Sequence, residues 1–149
     1  MTQPELETYL SAVREIGYTV VMTNGVFDLL HVGHVRYLQA AKDLGHVLVV
    51  AVNDDDSVGA YKPGRPINKL ADRMAVLEAL RSADAVVAFS EDTPERLIEQ
   101  VRPDVLVKGG DYRPEQIAGR EHAGRVLVLP HSGHSTTGLL NELAGPAAS

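Results

Sequence analysis

The chain alternates between segments whose apolar residues recur every three or four positions and short runs of continuous apolar residues. The first pattern predicts amphipathic helices, and the second predicts strands that are buried on both faces. The helical pattern covers residues 4–16, 32–44, 54–61, 70–81, 93–101, 114–123 and 136–143. The strand pattern covers residues 19–24, 46–53, 85–89, 104–107 and 125–129.

Strands that alternate with helices predict an α/β protein, because each crossover helix returns the chain to start a parallel strand. We therefore expect a Rossmann-like parallel sheet of about five strands with helices on both faces. Residues 1–149 are interpreted as one domain, with residues 1–17 as an N-terminal helical extension and residues 144–149 as a disordered tail. Gly45 is expected to cap the end of the second helix, and Thr93 is expected to cap the start of the fifth.

The composition is ordinary for a globular protein, with 44% hydrophobic and 23% charged residues over 149 positions. A net charge of −6 argues against a nucleic-acid partner, since binding to phosphate backbones depends on positive charge. The absence of cysteine excludes disulfides, thiolate metal ligands and a cysteine nucleophile, and it fits a reducing compartment. The chain starts without a signal-peptide pattern and has no apolar run long enough to span a bilayer, so we expect a cytoplasmic protein without a membrane partner.

Polar and glycine-rich segments follow four of the predicted strands, at residues 23–25, 53–55, 108–112 and 130–137. Ligands of parallel α/β sheets bind beyond the carboxyl ends of the strands, so we expect these segments to form one site. The chain has neither a Walker A sequence nor a Gly-x-Gly-x-x-Gly sequence, which disfavours a P-loop NTPase or a dinucleotide-dependent dehydrogenase.

Two histidines, His31 and His34, open the helix that follows the first strand. Their spacing places both imidazoles on one face of the helix, and Gly33 between them leaves the backbone open to a ligand. The N-terminus of a helix attracts anions, so the pair is a candidate cradle for a reacting phosphoryl group. Two other interpretations stay open: a zinc site with Asp28 as third ligand, and a purely structural pair.

Residues 23–34, which read Thr-Asn-Gly-Val-Phe-Asp-Leu-Leu-His-Val-Gly-His, resemble the signature of the nucleotidylyltransferase superfamily and of its cytidylyltransferase-like branch. Within that branch, two further segments are similar to the heptose 1-phosphate adenylyltransferases. One reads Lys-Pro-Gly-Arg-Pro-Ile-Asn from residue 62 and is followed by Ala-Asp-Arg at 71–73, and the other reads Lys-Gly-Gly-Asp-Tyr at 108–112. Glycerol-phosphate cytidylyltransferases carry a more acidic segment at the second place. The resemblance covers most of residues 20–143.

The resemblance implies a role for residues at each strand end. The implied catalytic residues are His31, His34 and Lys62. The implied nucleotide-binding residues are Thr23, Asn24, Gly25, Phe27, Gly33, Lys108, Gly109, Gly110, Asp111, Ser135, Thr136 and Thr137. The implied acceptor-binding residues are Asp28, Asn53, Arg65 and Arg73. No protein ligand for a metal is expected, Mg²⁺ would be bound mainly through nucleotide phosphates, and related enzymes suggest a homodimer.

Plainer interpretations of several of these residues stay open. Lys62 and Arg65 are equally explained as solvated cations of a surface loop, and Arg73 as a solvated helix arginine. Asp28 is equally explained as a structural residue of the turn, and the hydroxyls at 135–137 as helix caps.

The resemblance also implies a reaction, the transfer of AMP from ATP to a sugar 1-phosphate, in particular a heptose 1-phosphate, with release of pyrophosphate. The alternative activity is CTP-dependent cytidylyl transfer to a polyol phosphate such as glycerol 3-phosphate. The alternative of another class is a non-catalytic nucleotide sensor with the same fold. The chain departs from its relatives at His131 and His134, just before Ser135, where relatives often carry an arginine or a Glu-Gly-Tyr type stretch.

Overall fold

The computed structural model describes residues 1–61, 64–110 and 112–130, without the side chains of residues 60 and 61. The α-helices are α1 (Gln3–Glu15), α2 (Val32–Lys42), α3 (Asp55–Tyr61), α4 (Leu70–Glu78) and α5 (Glu95–Val101). The strands are β1 (Val20–Gly25), β2 (Val47–Asn53), β3 (Ala85–Phe89), β4 (Val105–Gly109) and β5 (Arg125–Leu129). Two short 3₁₀ turns, Pro114–Gln116 and Arg120–His122, lie between β4 and β5.

The five strands form one parallel sheet in the order β3-β2-β1-β4-β5. The first strand is central, because Val21 pairs with Leu48 of β2 on one side and with Val105 of β4 on the other. The chain adds β2 and β3 on one side and then returns to add β4 and β5 on the other, which creates a topological switch point between β1 and β4. This topology confirms the predicted Rossmann-like parallel sheet.

Helices cover both faces of the sheet. Residues of α1 and α5 pack against one face, and residues of α2 and α4 pack against the other. Along β1, Val20 and Met22 belong to the first apolar cluster and Val21 belongs to the second. The whole of β2 is buried, as expected for a strand with helices above and below it.

The prediction of a helix over residues 114–123 is wrong. The structure has two separate 3₁₀ turns there, with Ile117 extended between them and Gly119 at a φ of +85°. A left-handed residue interrupts the helical hydrogen-bond ladder, and glycine adopts this conformation without strain. Space also requires the glycine, since a Cβ at Gly119 would lie 2.7 Å from Ile98 Cδ1 of α5.

Two predicted helix caps are also wrong. Helix α2 ends at Lys42 with Asp43 as its C-cap, so Gly45 lies beyond the cap. What requires a glycine at position 45 is close packing, because a Cβ there would lie 2.7 Å from Val21 Cγ2. Helix α5 begins after Pro94, which makes no side-chain capping bond, so Thr93 is not its cap.

Strand β4 runs two residues further than predicted and includes Lys108 and Gly109. The helix predicted over 136–143 and the tail predicted over 144–149 lie outside the described residues. In the part of the chain that is described, none of the helices has the length and apolar character needed to cross a membrane.

Candidate active site

The carboxyl ends of β1, β2 and β4 lie side by side at the switch point. Gly25 at the end of β1 pairs with Val52, one residue before Asn53, and Thr23 pairs with Val107, one residue before Lys108. The sheet therefore brings together three of the four segments that the sequence assigned to the site.

Helix α2 begins with a histidine as its N-cap. The backbone of His31 is extended, and its Nδ1 accepts a hydrogen bond from the Gly33 N–H at 3.0 Å. In return, the His31 backbone N–H donates to Nδ1 of His34 at 3.3 Å. These two hydrogen bonds have the pattern of a capping box, with two imidazoles in place of the usual hydroxyl and carboxylate.

These hydrogen bonds fix the proton on each imidazole ring. Nδ1 accepts from the backbone in both His31 and His34, so a neutral ring carries its proton on Nε2. The two rings stack with their centroids 4.0 Å apart and their planes 29° from parallel. Two Nε2–H donors are thus held on neighbouring rings at a helix N-terminus, an arrangement that suits the oxygens of a phosphate.

His34 is neutral at physiological pH. Burial, together with the neighbouring His31, lowers the pKa of His34 from 6.5 to about 4. Since its Nδ1 is occupied by a backbone N–H, the neutral ring has no free basic nitrogen. The neutral ring of His34 can therefore offer a hydrogen-bond donor at Nε2, but neither a positive charge nor a basic nitrogen.

The turn between β1 and α2 contains a non-glycine residue in the left-handed region, Phe27 at a φ of +53°. Its ring is 7% exposed and contacts His34 edge-on, with the ring centroids 5.7 Å apart. A Cβ at Gly25 would lie 3.0 Å from Phe27 Cε2, so a larger residue at position 25 would require this ring to shift. The structure places Phe27 against a predicted catalytic histidine, and its predicted role in nucleotide binding stays a prediction.

Asp28 connects the same turn to the loop before α4. Its carboxylate accepts hydrogen bonds of 2.8 Å from Arg65 Nε, from the Ile67 N–H and from the Asn68 N–H. Burial raises the pKa of Asp28, but the hydrogen bonds from Asn68, Ile67 and Arg65 outweigh this effect and hold the pKa below its usual value. A carboxylate turned toward these donors argues against Asp28 as a third zinc ligand beside the histidines.

The two predicted acceptor-binding arginines are both held by the protein. Arg65 pairs with Asp28 and has a side chain that is only 14% exposed, so its interpretation as a solvated cation is wrong. Arg73 has a side chain with no exposed surface, so the solvated-arginine interpretation is wrong there too. Asn53 is also buried, and its amide donates to Ser57 Oγ at 3.0 Å. The acceptor-binding roles of these residues stay predictions.

Tyr37 of α2 connects the histidine helix to β1 and β4. Its hydroxyl lies 2.6 Å from Thr23 Oγ1 and donates to the Val107 carbonyl at 3.3 Å. Its ring packs 3.1 Å from the position that a Cβ of Gly109 would take. Burial raises the pKa of Tyr37 to about 12 against the opposite effect of the Thr23 hydrogen bond, so the phenol stays neutral. Thr23, predicted to bind the nucleotide, has no exposed surface and supports Tyr37 with its side chain.

Sequence reasoning missed Tyr37, although its position carried a signal. It lies three residues after His34, so the two side chains project from neighbouring positions of one helix face.

Near the end of β4, the amine of Lys108 lies beside an aromatic ring. Burial lowers the pKa of Lys108, and its Nζ lies 5.4 Å from the centre of the half-exposed Tyr112 ring. Gly110 is buried with a φ of +105°. Asn24 at the end of β1 is half-buried, like Gly25. The nucleotide-binding roles of these residues stay predictions.

Several predicted site residues lie outside the described residues: Lys62, Asp111, Ser135, Thr136 and Thr137, together with His131 and His134.

A pocket of about 630 Å³ lies beside the histidines, between the β1–α2 turn and α4. Leu29, Leu30 and Val76 form part of its apolar wall, and its polar lining includes the half-buried Asn68 and the exposed Asp72. Its lining includes neither His31 nor His34, so the pocket adjoins the histidine pair and does not contain it.

Within the described ranges, the histidine pair is not part of a metal-binding cluster. The one group of side chains there with ligand atoms close enough to share a metal ion is Glu95, Glu121 and His122, and it contains none of the predicted site residues.

A parallel α/β sheet with paired histidines at the start of the helix after its central strand defines a nucleotidylyltransferase-type site. The chain belongs to the cytidylyltransferase-like family, whose model matches residues 22–125. This membership confirms the family predicted from the sequence.

Among curated proteins, the chain is 54% identical to "Bifunctional protein HldE" of Sodalis glossinidius (strain morsitans) and 53% identical to the protein of the same name from Coxiella burnetii (strain Dugway 5J108-111). Each match covers 96% of this chain but only 31% of the relative, so the chain spans about a third of the length of these relatives. Among solved structures, it is similar to the "lipopolysaccharide core biosynthesis protein from Thermoplasma volcanium GSS1". That match has a TM-score of 0.65 and 29% identity, and it covers 80% of this chain and all of the neighbour.

Proposed function

We propose that this chain transfers AMP from ATP to a sugar 1-phosphate, most specifically a heptose 1-phosphate, and releases pyrophosphate. The observation that carries the proposal is the pair of Nε2–H donors on His31 and His34, held by backbone hydrogen bonds at the N-terminus of α2. The family and the sequence resemblance supply the reaction class, and this geometry supplies the donors that the reaction needs.

The reaction is an in-line displacement at phosphorus. An oxygen of the acceptor phosphate forms a bond to the α-phosphorus of ATP, and the bond from that phosphorus to the bridging oxygen of pyrophosphate breaks. The acceptor oxygen is already ionised, so no general base is required, in keeping with two imidazoles whose Nδ1 atoms are occupied. His31 and His34 donate to α-phosphate and bridging oxygens as negative charge develops there. Lys62 and residues 135–137 are proposed to hold the departing pyrophosphate.

Mg²⁺ belongs to the same proposal. The buried carboxylate of Asp28 and the carboxylate of Asp55 are paired with Arg65 and Arg73, so the described residues fit an ion held by phosphate oxygens and water rather than by a protein cage. When bound, Mg²⁺ would neutralise charge on the triphosphate.

Two observations support ATP and a sugar phosphate over other substrates. The segment Lys108-Gly109-Gly110 resembles the adenylyltransferases and lacks the acidic character seen in glycerol-phosphate cytidylyltransferases. The solved neighbour named for lipopolysaccharide core biosynthesis supports a saccharide acceptor, since that core is a glycan. A homodimer in the cytoplasm is proposed by resemblance, and light scattering that gives the mass of a monomer at micromolar concentration would remove the dimer.

The second candidate is CTP-dependent cytidylyl transfer to a polyol phosphate, which the family description favours. The non-catalytic sensor is the third, and the intact histidine pair argues against it.

Pyrophosphate release measured with the four nucleoside triphosphates, each crossed with a panel of sugar and polyol phosphates, tests the proposal. We expect turnover with ATP and heptose 1-phosphate above every other pair. A His34→Ala protein purified in parallel controls for contaminating activity. Preferred turnover with CTP and glycerol 3-phosphate would establish the second candidate, and nucleotide binding without turnover on any pair would establish the sensor.

A further inference from the structure

In the turn before the histidines, the backbone of Phe27 has a conformation that the surrounding structure must stabilise. Phe27 has a φ of +53°, a region that residues with a Cβ seldom occupy unless the surrounding structure holds them there. The question is which groups hold Phe27, and what its conformation does for the site.

The backbone before and after Phe27 is held by side chains from α4 and from the loop before it. Arg73 Nη1 donates to the carbonyl of Val26 at 2.8 Å, and Asn68 Nδ2 donates to the carbonyl of Asp28 at 2.7 Å. The carboxylate of Asp28 is held in addition by three donors from residues 65–68. Phe27 and Asp28 therefore lie between two carbonyls that α4 and the loop before it hold in place.

The conformation of Phe27 turns its ring against a predicted catalytic residue. The ring meets the ring of His34 edge-on at 5.7 Å, while His31 stacks on His34 at 4.0 Å. The position of the His34 imidazole is thus defined by His31 together with Phe27.

The guanidinium of Arg73 uses most of its hydrogen-bond donors within the protein. At least four of its five N–H donors are used: Nε bonds the Asn68 carbonyl, Nη1 bonds the Val26 and Asn53 carbonyls at 2.8 Å each, and Nη2 bonds Asp55 Oδ1 at 2.7 Å. The side chain has no exposed surface that a phosphate would reach.

We propose that Arg73 is a positioning residue: it holds Phe27 in its left-handed conformation and, through the Phe27 ring, holds His34 in place for the reaction. This role differs from the acceptor contact that the sequence resemblance implies. It rests on the proposed nucleotidyl transfer for its kinetic readout, and it is tested independently by the state of the His34 ring.

The two roles predict different losses in an Arg73→Lys variant. Loss of a positioning residue lowers kcat, because a misplaced His34 donor no longer contacts the oxygen on which charge develops. A displacement of the donor by about 1 Å lowers the rate on the order of 10²-fold. The KM values for ATP and for the sugar phosphate stay near those of the wild type. Loss of an acceptor contact raises the KM for the sugar phosphate and leaves His34 unchanged.

The experiment measures kcat, both KM values and the imidazole signals of His34 by long-range ¹H–¹⁵N correlation. Asn68→Ala is the second variant, in case Arg73→Lys fails to fold, since it removes only the hydrogen bond to the Asp28 carbonyl. Arg14→Lys is the matched control, because Arg14 also donates to two backbone carbonyls, those of Val101 and Arg102, but does so in the layer on the opposite face of the sheet.

We expect Arg73→Lys and Asn68→Ala to lower kcat and to shift the His34 signals, while Arg14→Lys lowers only the melting temperature. Unmoved His34 signals in a folded Arg73→Lys variant, or in Asn68→Ala if Arg73→Lys does not fold, would overturn the proposal, whatever the activity. A raised KM for the sugar phosphate with unchanged kcat would overturn it in favour of the acceptor contact. If the wild type has no nucleotidyl transfer activity, the proposed function fails, and the His34 signals alone decide this inference.

Discussion

We assign two roles to His31, and a pair of substitutions separates them. Its Nδ1 caps α2 by accepting the Gly33 N–H, and its buried Nε2–H is the proposed donor to the substrate. His31→Ala removes both roles. His31→Asn keeps a side-chain oxygen that accepts the same N–H, because asparagine is among the best N-cap residues, but it has no group that reaches the place of Nε2.

The expected magnitudes follow from these roles. Loss of an N-cap costs about 1 kcal/mol, which lowers the melting temperature of a chain of this size by about 2–4 °C. Loss of one donor to charge that develops in the transition state lowers kcat by about 10²–10³-fold. We therefore expect His31→Ala to lose stability and turnover, and His31→Asn to lose turnover with a melting temperature close to that of the wild type.

Differential scanning fluorimetry and pyrophosphate release on the same preparations measure both effects. The pKa of His34 should also rise in either variant, since the neighbouring His31 contributes to its low value. A melting temperature of His31→Asn as low as that of His31→Ala would refute the capping role. A turnover of His31→Asn within a fewfold of the wild type would refute the donor role.

Two further predictions concern residues that support the site. The Asp28→Asn variant should melt at a lower temperature than the wild type at neutral pH, and the difference should shrink below about pH 4. The pKa of Asp28 is low in the folded protein, so the ionised carboxylate stabilises the fold and protonation removes that stabilisation. A difference in melting temperature that stays constant with pH would contradict this prediction. The low pKa of His34 weakens both proteins as the pH falls from 6.5 toward 4, since the unfolded chain binds that proton first, so its effect cancels in the comparison. The free energy of unfolding of Tyr37→Phe, measured by urea denaturation, should be about 1–3 kcal/mol lower than that of the wild type. The reason is that the Val107 carbonyl and the Thr23 hydroxyl lose a buried hydrogen-bond partner. An unchanged free energy of unfolding would show that the Tyr37 hydroxyl does not stabilise the fold.

The sheet and the histidine pair could be predicted from the sequence because their signals are local. The continuous apolar run that forms β2 is a strand signal in itself, and the spacing of His31 and His34 fixes their common face. The helix predicted over 114–123 failed for a local reason as well, since a single left-handed Gly119 divides the segment into two turns.

The role of Arg73 could not be predicted in this way. Its partners include the carbonyls of Val26 and Asn53, which are 47 and 20 residues away in sequence, and backbone carbonyls have no sequence signature. The left-handed conformation of Phe27 could not be predicted either, because glycine is the residue that usually indicates such a position in a sequence.

The central claim is that His34 donates a hydrogen bond to charge that develops only in the transition state, and one measurement on His34→Ala tests it most directly. Calorimetric ATP binding, melting temperature and pyrophosphate release are compared with the wild type on the same preparations. The account predicts a folded protein whose turnover falls by about 10²–10³-fold. Its affinity for ATP should fall by much less, because ground-state binding is shared among many donors. A folded His34→Ala protein with turnover within a fewfold of the wild type would contradict the account.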